Sequence, residues 1–294
     1  MNRHAEFISF KFLLNDRIQK IQQIAKEYDL EHNSYIAFSG GKDSTVLHYM
    51  IDEALPGNKI PRVYSNSGLD YTLLQQFVRN MAKQDSRFVI IYPKKDVKTT
   101  LENVGYPFKS KRHSHICDIY SRQGKTGCVK KYADGEKGST LNCPKILQYQ
   151  FENELPFKIS DKCCMEFKKK PFIEYERQSK RFIGLTGMRQ AEGGQRINLN
   201  CLVFSDDKLH RFHPLAPCND NFIELYIKTH GIKLCSLYYE PYNFTRTGCV
   251  GCPFSTTLKK DLETMAKVLP REKARCENIW EKVYKEYRRI GYRL

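Results

Sequence analysis

Near the start of the chain, apolar residues recur with the spacing of one long α-helix. Between residues 10 and 29, the side chains of Leu14, Ile18, Ile21, Ala25 and Tyr28 recur at steps of three and four. This spacing places them on one face of an α-helix. We therefore predict an amphipathic N-terminal helix, and we assign residues 1–34 to an N-terminal helical segment.

Short apolar runs then alternate with helical periods. The runs cover residues 35–38, 62–65, 88–92 and 181–185. Their length and their β-branched and aromatic residues predict strands. Helical periods at 44–54 and 72–82 separate the first three runs, and strands joined in this way indicate parallel βαβ units. We predict an α/β fold with a doubly wound, mostly parallel sheet, in a domain that covers residues 35–255.

The remaining segments have weaker or purely helical patterns. Residues 105–145 are rich in Gly, Lys, Ser and Cys and lack a clear period, so we predict an inserted segment that is mostly loop. The pattern of 221–231 predicts a helix. After residue 255 the periods at 258–268 and 271–290 predict two helices, which form the C-terminal helical portion, residues 256–294.

The candidate chemistry of the chain begins directly after its first predicted strand. The segment reads Ser39-Gly40-Gly41-Lys42-Asp43-Ser44-Thr45. Two glycines let the backbone turn its N–H groups toward a ligand, and a helix N-terminus with Lys42 adds positive charge. Ser44 and Thr45 can cap the helix or bind an oxygen. A phosphate or pyrophosphate suits such a site. The alternative is an ordinary glycine turn with a serine cap, and the spacing excludes the Walker loop.

The charge of the chain points to an anionic partner. The formal net charge is +16, which is more than a nucleotide substrate alone requires. Nucleic acid is the natural candidate, and a generally basic, solvated surface is the alternative. No apolar run approaches the ~20 residues of a membrane helix, and the first residues lack the apolar core of a signal peptide. We therefore expect a cytoplasmic protein with no membrane partner.

Four of the eleven cysteines form two closely spaced pairs. Cys163 and Cys164 are adjacent, and Cys249 and Cys252 form a Cys-x-x-Cys motif about 85 residues further on, so that the cysteine region spans 163–252. One loop with this motif offers two thiolates to one metal centre. Four thiolates suit a [4Fe–4S] cluster or a tetrahedral zinc ion, and free cysteines are the third alternative. Cys117, Cys128 and Cys143 lie in the insertion, where their spacing matches no compact metal motif.

The loop and the cysteine pairs together resemble a known superfamily. Residues 39–45 resemble the PP-loop of the ATP-pyrophosphatase superfamily, which implies ATP or a related adenine nucleotide, with Mg²⁺. The two cysteine pairs resemble those that hold a [4Fe–4S] cluster in the phosphoadenylylsulfate (PAPS) and adenylylsulfate (APS) reductase family. Residues 160–171 also look like a branch of this family that resembles enzymes of DNA phosphorothioation. The resemblance covers about residues 35–255.

Further segments extend the resemblance and imply additional nucleotide contacts. Ser67 and Gly68, in the segment 65–70, stand where the family has an Asp-Thr-Gly loop. Arg189 and Arg196 stand in a segment that resembles the family's Gly-x-Arg…Arg stretch, which meets the anionic groups of the nucleotide. A guanidinium fork suits phosphate or sulfate. Surface salt bridging is the alternative for both arginines.

One departure from the family divides the functional hypotheses. The sulfonucleotide reductases carry a C-terminal Glu-Cys-Gly-Leu-His motif, whereas the last cysteine here is Cys276, inside a predicted helix. We therefore favour an ATP-dependent sulfurtransferase that adenylates nucleic acid, with Lys42 and Arg189 as charge stabilisers and Asp43 as a Mg²⁺ ligand or loop-orienting residue. A cysteine desulfurase-like sulfur donor or a reductant is the implied protein partner. An APS/PAPS reductase and a non-catalytic nucleic-acid-binding module are the alternatives.

Overall fold

The computed structural model of the chain describes residues 3–135, 142–152 and 155–294. Residues 136–141 of the predicted insertion lie outside this range, as do residues 1 and 2 of the N-terminal segment. The strands are β1 Ser34–Ala37, β2 Arg62–Ser65, β3 Phe88–Ile91, β4 Ile183–Leu185, β5 Leu202–Ser205 and β6 Lys208–Phe212. The helices are α1 Arg3–Tyr28, α2 Leu30–Asn33, α3 Lys42–Ala54, α4 Thr72–Gln84, α5 Val97–Val104, α6 Lys111–Gln123, α7 Gly127–Ala133, α8 Lys170–Ser179, α9 Asp220–Thr229, α10 Leu258–Val268, α11 Pro270–Ile279 and α12 Glu281–Arg289.

The six strands form one sheet in the order β3-β2-β1-β4-β6-β5. All neighbouring strands are parallel except β5, which pairs with β6 in an antiparallel sense. The chain winds outward from β1 to β3 and then returns to place β4 on the other side of β1. The predicted α/β fold with a mostly parallel sheet is thus confirmed, and the carboxyl end of β1 lies at the point where the strand order reverses, which is where open α/β sheets bind ligands.

The chain divides into two compact units, and the first contains the whole sheet. It comprises residues up to Asn66, Leu73–Ile91 and Phe172–Thr247. Its core joins Ile36 of β1 and Leu185 of β4 to Leu47 and Met50 of α3 and to Ile21 of α1, all completely buried. Apolar positions at helical and strand spacing therefore bury themselves as the sequence pattern predicts.

The hairpin of β5 and β6 escapes the hydrophobic pattern. β5 contains the short apolar run Leu202-Val203-Phe204, but its residues are exposed or half-buried, and β6 mixes apolar and basic residues. Asp206 and Asp207 connect them with φ angles of 49° and 60°. Two consecutive positive φ angles are what a tight two-residue hairpin turn requires, and aspartate tolerates them.

The second unit is helical and comprises Ser67–Thr72, Tyr92–Pro171 and Gly248–Leu294. The prediction that 105–145 is mostly loop is wrong, because α6 and α7 occupy much of it. Ser110 caps α6 by accepting a hydrogen bond from the His113 amide, and Gly124 ends the helix with a φ of 68°. The buried face of α6 includes His113, Ser114 and Cys117, and these polar residue types conceal its period.

The C-terminal portion also departs from its prediction in one detail. The helix expected over 271–290 is divided into α11 and α12 at Trp280, whose φ and ψ of −103° and 16° are not helical. Trp280 is 1% exposed and directs its indole into the second unit. In the part of the chain that the structure describes, no helix combines the length and the apolar character needed to cross a membrane.

Candidate nucleotide-binding and cysteine sites

The loop after β1 turns through a glycine that no other residue can replace without strain. Gly40 has a φ of +72°, and a Cβ atom added to it would lie 2.7 Å from Cδ1 of Leu74. Both the backbone conformation and the close approach of the leucine therefore require glycine. The turn delivers the chain into the first residue of α3, Lys42, with Gly41 as the N-cap.

Hydroxyl groups of the same loop fix its shape. Ser44 Oγ donates to the Gly41 carbonyl at 3.0 Å and accepts from the Ser39 amide at 3.2 Å. Thr45 Oγ1 also donates to the Gly41 carbonyl, at 2.9 Å. The serine and threonine of the motif thus brace the loop from inside, which preorganises the N-terminus of α3.

Lys42 stands at the head of α3, where the helix dipole and its own ammonium add positive charge. Its backbone N–H donates to the Tyr238 hydroxyl at 3.0 Å, and that hydroxyl also lies 3.1 Å from Thr247 Oγ1. The Lys42 ammonium lies 3.4 Å from Oδ1 of Asp220. The cation is therefore held at the helix terminus by a single long contact and keeps donors for an anion.

Arg189 follows β4 and is buried against the same helix start. Its Nε donates to Asp43 Oδ1 at 2.8 Å and its Nη2 donates to Asp220 Oδ1 at 2.8 Å. Its Nη1 donates to the Cys218 carbonyl at 3.2 Å, and the residue is 2% exposed. Burial raises the pKa of Asp43, although the charge of Arg189 opposes that rise. The hydrogen bond from Arg189 lowers the pKa of Asp220.

The approach of the two segments depends on a second glycine. A Cβ atom on Gly187 would lie 2.8 Å from the carbonyl carbon and oxygen of Asp43. Only glycine lets the chain after β4 pass this close to the first turn of α3. The structure thus brings together three predicted residues, Lys42, Asp43 and Arg189, around a carboxylate that the sequence did not single out, Asp220.

Arg196 is placed differently from Arg189. Its guanidinium forms an ion pair with Glu192, and the arginine side chain is 42% exposed. Glu192 also accepts a hydrogen bond from the Arg189 amide at 3.3 Å. The structure therefore pairs Arg196 with a neighbouring carboxylate, which is the surface ion pair that the sequence leaves open as the alternative.

The loop after β2, with the predicted residues Ser67 and Gly68, lies in the second unit. Ser67 Oγ donates to Asp70 Oδ2 at 2.9 Å, and Gly68 has a φ of +73°. Asp70 forms an antiparallel bridge with Cys249, and the Val250 amide donates to the carbonyl of Leu69 at 2.7 Å. The loop is therefore hydrogen-bonded directly to the Cys-x-x-Cys turn. The sequence gives no sign of this contact.

The four predicted cysteines share one electrostatic environment in the second unit. Cys163 donates its thiol proton to Cys164, which raises the pKa of Cys163 and lowers that of Cys164. Burial raises the pKa values of Cys249 and Cys252, the latter to about 12. The charges of Cys249 and Cys252 in turn raise the pKa of Cys163. The two pairs are therefore close enough to influence each other's pKa values.

A lysine accompanies the four thiols. Lys168 lies on the turn that follows Cys164, and its ammonium is hydrogen-bonded to Cys249. The negative charge of Cys249 raises the pKa of Lys168. Among the residues that the structure describes, no group of three or more His, Cys, Asp or Glu side chains is close enough together to hold a metal ion. The structure thus gathers the thiols in one unit but does not close them around a single ion.

The C-terminal helices hold the Cys-x-x-Cys turn through its carbonyl groups. Trp280 Nε1 donates to the Val250 carbonyl at 2.8 Å, and the Tyr284 hydroxyl donates to that of Gly251. The Tyr287 hydroxyl donates to the Pro253 carbonyl at 3.1 Å. Because these three donors are almost completely buried, each satisfies a carbonyl that water does not reach. Trp280, between α11 and α12, and two tyrosines of α12 therefore position Cys249 and Cys252.

Cys276 packs beneath the same turn and is completely buried. A Cβ atom on Gly251 would lie 2.8 Å from Cys276 Sγ. The thiol donates to the Lys273 carbonyl at 3.2 Å, and burial raises its pKa to about 11. Cys276 therefore has the properties of a structural thiol rather than a nucleophile.

Three buried residues of the insertion, His113, Cys117 and Cys143, form a separate, internally satisfied cluster. The ring nitrogens of His113 lie 3.0 Å from the Tyr132 hydroxyl and 2.7 Å from Gln150 Oε1. Burial lowers the pKa of His113 to about 4 and raises that of Cys143 to about 11. These contacts fit a packed polar core, which agrees with the lack of a compact metal motif in the sequence.

A family model decides the identity of the fold. The phosphoadenosine phosphosulfate reductase domain matches residues 33–255, about three-quarters of the chain. The chain belongs to the phosphoadenosine phosphosulfate reductase domain family. The family predicted from the sequence is thereby confirmed, and the match supports a nucleotide-binding PP-loop enzyme. No curated protein sequence matches the chain.

Several solved structures are similar to this family member at low sequence identity. Candida glabrata FMN adenylyltransferase with FMN and the ATP analogue AMPCPP is 14% identical, covers 85% of this chain and 67% of its own, and has a TM-score of 0.51. The phosphate complex of phosphoadenylyl-sulfate (PAPS) reductase from Candida auris is 14% identical, with 85% and 96% coverage and a TM-score of 0.47. The same C. glabrata enzyme in complex with ATP is 14% identical to this chain, with a TM-score of 0.48. The match covers 81% of this chain and 62% of the chain of that enzyme.

The phosphoadenosine phosphosulfate reductase domain contains the PP-loop, both arginines and all four paired cysteines. Helices α10, α11 and α12 follow the matched residues, and Trp280 and Tyr284 hold the cysteine turn. The residues that sequence reasoning missed include Asp220 and Trp280. Asp220 has no motif of its own, and Trp280 shows its role only through the carbonyl it contacts. The one available signal was that Trp280 is the only tryptophan of the chain.

Proposed function

We propose that this protein is an ATP-dependent enzyme that adenylates nucleic acid and then transfers sulfur to it. The arrangement of the PP-loop carries the proposal. Gly40 and Gly41 lead into the N-terminus of α3, Lys42 stands there with donors to spare, and Arg189 holds Asp43 beside it. This combination suits the polyphosphate of ATP rather than an isolated anion.

In the first step, the phosphates of ATP bind the first turn of α3. Lys42 offsets their charge, while Arg189 acts through Asp43, which it orients by the 2.8 Å hydrogen bond. Asp43 keeps an oxygen for Mg²⁺. An oxygen of the nucleic acid attacks the α-phosphorus, a new P–O bond forms and the bond to pyrophosphate breaks. Pyrophosphate leaves with the electron pair, and Lys42 stabilises the developing charge.

In the second step, a sulfur nucleophile displaces AMP. We propose a persulfide on a cysteine desulfurase-like donor protein as its source. The terminal sulfur attacks the adenylated centre, AMP leaves with the electron pair, and a thiol reductant then cleaves the remaining S–S bond to the donor. Ser67, Gly68 and Arg196 stay predictions of the family resemblance as nucleotide contacts.

We further propose that Cys163, Cys164, Cys249 and Cys252 hold a [4Fe–4S] cluster, with zinc as the alternative. Metal centres take thiolates, and the hydrogen bond from Cys163 together with nearby lysines lowers the pKa of Cys164. Lys168 stabilises negative charge on Cys249. A bound cluster would supply electrons or sulfur there. All eleven cysteines are free, as in a reducing compartment, and we therefore assign the protein to the cytoplasm.

A sulfonucleotide reductase is the second candidate, because the matched family model is that of the reductase domain. Its chemistry needs a thiolate that attacks the sulfur of the substrate. Cys276 does not suit this role, since it is completely buried, donates to the Lys273 carbonyl and has a raised pKa. We therefore rank sulfur transfer first.

The release of products from ATP tests the proposal. We expect AMP and pyrophosphate to form in the presence of Mg²⁺ and nucleic acid. Replacing Lys42 with alanine should lower kcat about 10²-fold or more. Lys59→Ala is the matched control, because Lys59 is exposed and lies outside the PP-loop. Formation of ADP and phosphate would contradict adenylation, and sulfite release from APS or PAPS would favour the reductase.

Metal analysis after anaerobic purification tests the cluster. We expect about four irons and four sulfides per chain, and their loss in the Cys249→Ser/Cys252→Ser variant. The Cys201→Ser/Cys235→Ser variant controls for the loss of any two thiols. One zinc and no iron, lost in the first variant alone, would replace the cluster with a structural metal.

A further inference from the structure

The positive charge of the chain is concentrated in the second unit. That unit carries 28 lysines and arginines against 16 aspartates and glutamates, a formal net charge of +12. The first unit carries 21 against 17, a net charge of +4. Most of the excess charge therefore belongs to the unit that does not contain the PP-loop, so nucleotide binding by that loop does not account for it.

Within the second unit, the α6–α7 segment (residues 109–133) has a large excess of basic over acidic residues. It contains seven lysines and arginines and a single acidic residue, Asp118. The Asp118 side chain is only 1% exposed and is neutralised by Arg122 and Lys162. The segment therefore presents no acidic side chain to solvent. Its exposed cations are Lys111, Arg112, Arg122, Lys125, Lys130 and Lys131.

Helix α12, in the same unit, shows what an ordinary basic helix looks like. Lys285 is paired with Glu281, and Arg289 is paired with Glu286. Arg288 is likewise paired with Glu277 of α11. The charges of this surface are thus largely compensated by acidic residues of α11 and α12, whereas residues 109–133 contain a single acidic residue, the buried Asp118.

The position of two cations also opposes the local stability of α6. Lys111 and Arg112 occupy its first turn, which holds no acidic residue. Cations at a helix N-terminus are unfavourable because the dipole is positive there. Residues that destabilise their own helix in this way are typical of functional positions. A bound anion would make the same two cations stabilising.

We propose that the exposed surface of α6 and α7 is the nucleic-acid-binding element of the enzyme. This inference rests on the proposed function and names the surface that holds its substrate. Phosphates repeat along a nucleic acid, and a row of lysines suits them without reading sequence. An acidic protein is less suitable, because protein interfaces need an apolar centre, and no large apolar side chain of residues 109–133 is exposed.

Buried side chains give this surface a rigid support. His113 and Cys117 of α6 and Val129 and Tyr132 of α7 are all buried, and His113 contacts the Tyr132 hydroxyl at 3.0 Å. The cations can therefore be replaced without disturbing the packing beneath them. Substitutions of exposed lysines test binding rather than folding.

The test compares two variants of the full-length chain with equal loss of charge. The first replaces three exposed lysines of the surface, Lys111→Gln, Lys125→Gln and Lys130→Gln. The second replaces three exposed lysines of the first unit, Lys26→Gln, Lys59→Gln and Lys83→Gln. Binding to a fluorescent 30-base-pair DNA duplex, to the single strand and to the matching RNA is titrated between about 50 and 200 mM salt.

We expect the first variant to bind its nucleic acid at least tenfold more weakly than the wild type. On duplex DNA, its salt slope should shrink by about 2.7, since each phosphate contact contributes about 0.9. The second variant should keep the wild-type slope. If both variants bind nucleic acid equally weakly, net charge alone explains the loss of affinity, and the proposal is overturned. Binding of poly-glutamate but of no nucleic acid would overturn it as well.

Nucleotide binding separates this proposal from the proposed function. ATP-analogue affinity is measured for all three proteins by calorimetry and should be the same. If ATP binds but the surface variant still holds nucleic acid normally, the surface assignment fails and the adenylating site stands. If the surface substitutions weaken nucleic-acid binding but the wild type does not bind ATP, the proposed chemistry fails and the surface assignment stands.

Discussion

The Nε atom of Arg189 lies 2.8 Å from Oδ1 of Asp43, and this ion pair joins the segment after β4 to the first turn of α3. The guanidinium is 3% exposed and has a second carboxylate partner in Asp220. Its charge is therefore used within the protein. Arg189 shapes the PP-loop through Asp43, and its removal should affect stability before it affects chemistry.

We expect Arg189→Met to lower the free energy of unfolding by about 3 kcal/mol, because Asp43 would lose its counterion in a partly buried site. The double variant with Asp43→Asn should recover part of this loss. Urea unfolding followed by circular dichroism measures both. Arg246→Met is the control, since the Arg246–Glu192 pair is long, with 74% of the arginine side chain exposed, and should change stability by no more than about 1 kcal/mol. Equal losses in the two single variants would contradict the positioning role.

Gly40 and Gly57 allow the steric requirement of the PP-loop to be isolated. Both have a positive φ, +72° and +77°, but only Gly40 is crowded, by Leu74 at 2.7 Å from an added Cβ. An alanine should therefore strain both turns by about 1–2 kcal/mol and displace only the PP-loop. We expect Gly40→Ala to weaken ATP-analogue binding at least tenfold in calorimetry, and Gly57→Ala to bind like the wild type. Unchanged affinity in the Gly40 variant would show that the loop does not hold the nucleotide.

The sequence was most informative where function and fold depend on neighbours in the chain. The PP-loop and the strand–helix alternation are local patterns, so the sheet and the start of α3 could be predicted. Asp220 could not, because it reaches Lys42 and Arg189 only through the tertiary fold. The insertion was misjudged for a related reason. Its buried positions include His113 and Cys117, whose polar atoms are satisfied by hydrogen bonds, and neither residue type adds to an apolar period.

The cysteine site shows the same division. Two closely spaced pairs identify four thiols from the sequence alone, but the turn with Cys249 and Cys252 is held by residues 30 and 33 positions beyond their acceptors. Trp280 and Tyr284 bind carbonyls inside the turn, and neither the spacing nor the type of these aromatic residues indicates it. Hydrogen bonds to backbone carbonyls do not depend on the sequence of the acceptor, so they leave no motif.

Stability should depend on pH through His48. Its Nδ1 accepts a hydrogen bond from Arg62 Nε at 3.0 Å, so the imidazole must be neutral there. Burial, together with the charge of Arg62, lowers the pKa of His48 to about 4. In the unfolded chain, the pKa of histidine is ~6.5. Between these values the unfolded chain binds more protons, so stability falls as the pH drops. From pH 7 to pH 5, the loss due to His48 is about 2 kcal/mol.

A glutamine at position 48 keeps an acceptor for Arg62 but does not titrate. We expect the free energy of unfolding of His48→Gln to fall by about 2 kcal/mol less than that of the wild type over the same pH interval. His32→Gln is the control, because the His32 side chain is 76% exposed. If the two variants lose stability equally on acidification, His48 is not the source of the pH dependence.

Arg275 of α11 should hold the loop between β2 and α4 in place. Its Nη2 donates to the Asp70 carbonyl at 2.7 Å, and its Nη1 pairs with Glu272, which accepts from the Thr72 amide. Charge-assisted bonds of this kind are worth about 1.5–3 kcal/mol each. We expect Arg275→Ala to accelerate amide hydrogen exchange in residues 67–72 at least tenfold. Arg271→Ala, on the same helix but exposed, should leave it unchanged. Slow exchange in both variants would assign the stability of the loop to its bridge with Cys249 alone.

Two cysteines of the second unit, Cys276 and Cys128, should differ in their reactivity toward alkylating reagents. Cys276 is completely buried with a pKa raised to about 11, whereas Cys128 is exposed on α7. Alkylation requires an accessible thiolate. We expect iodoacetamide at pH 8 to label Cys128 rapidly, and Cys276 only after urea unfolds the chain, as followed by peptide mass spectrometry. Labelling of both at similar rates in the folded protein would contradict the structural role. It would also return Cys276 to consideration as the nucleophile of a reductase, so this measurement bears directly on the choice between the two proposed reactions.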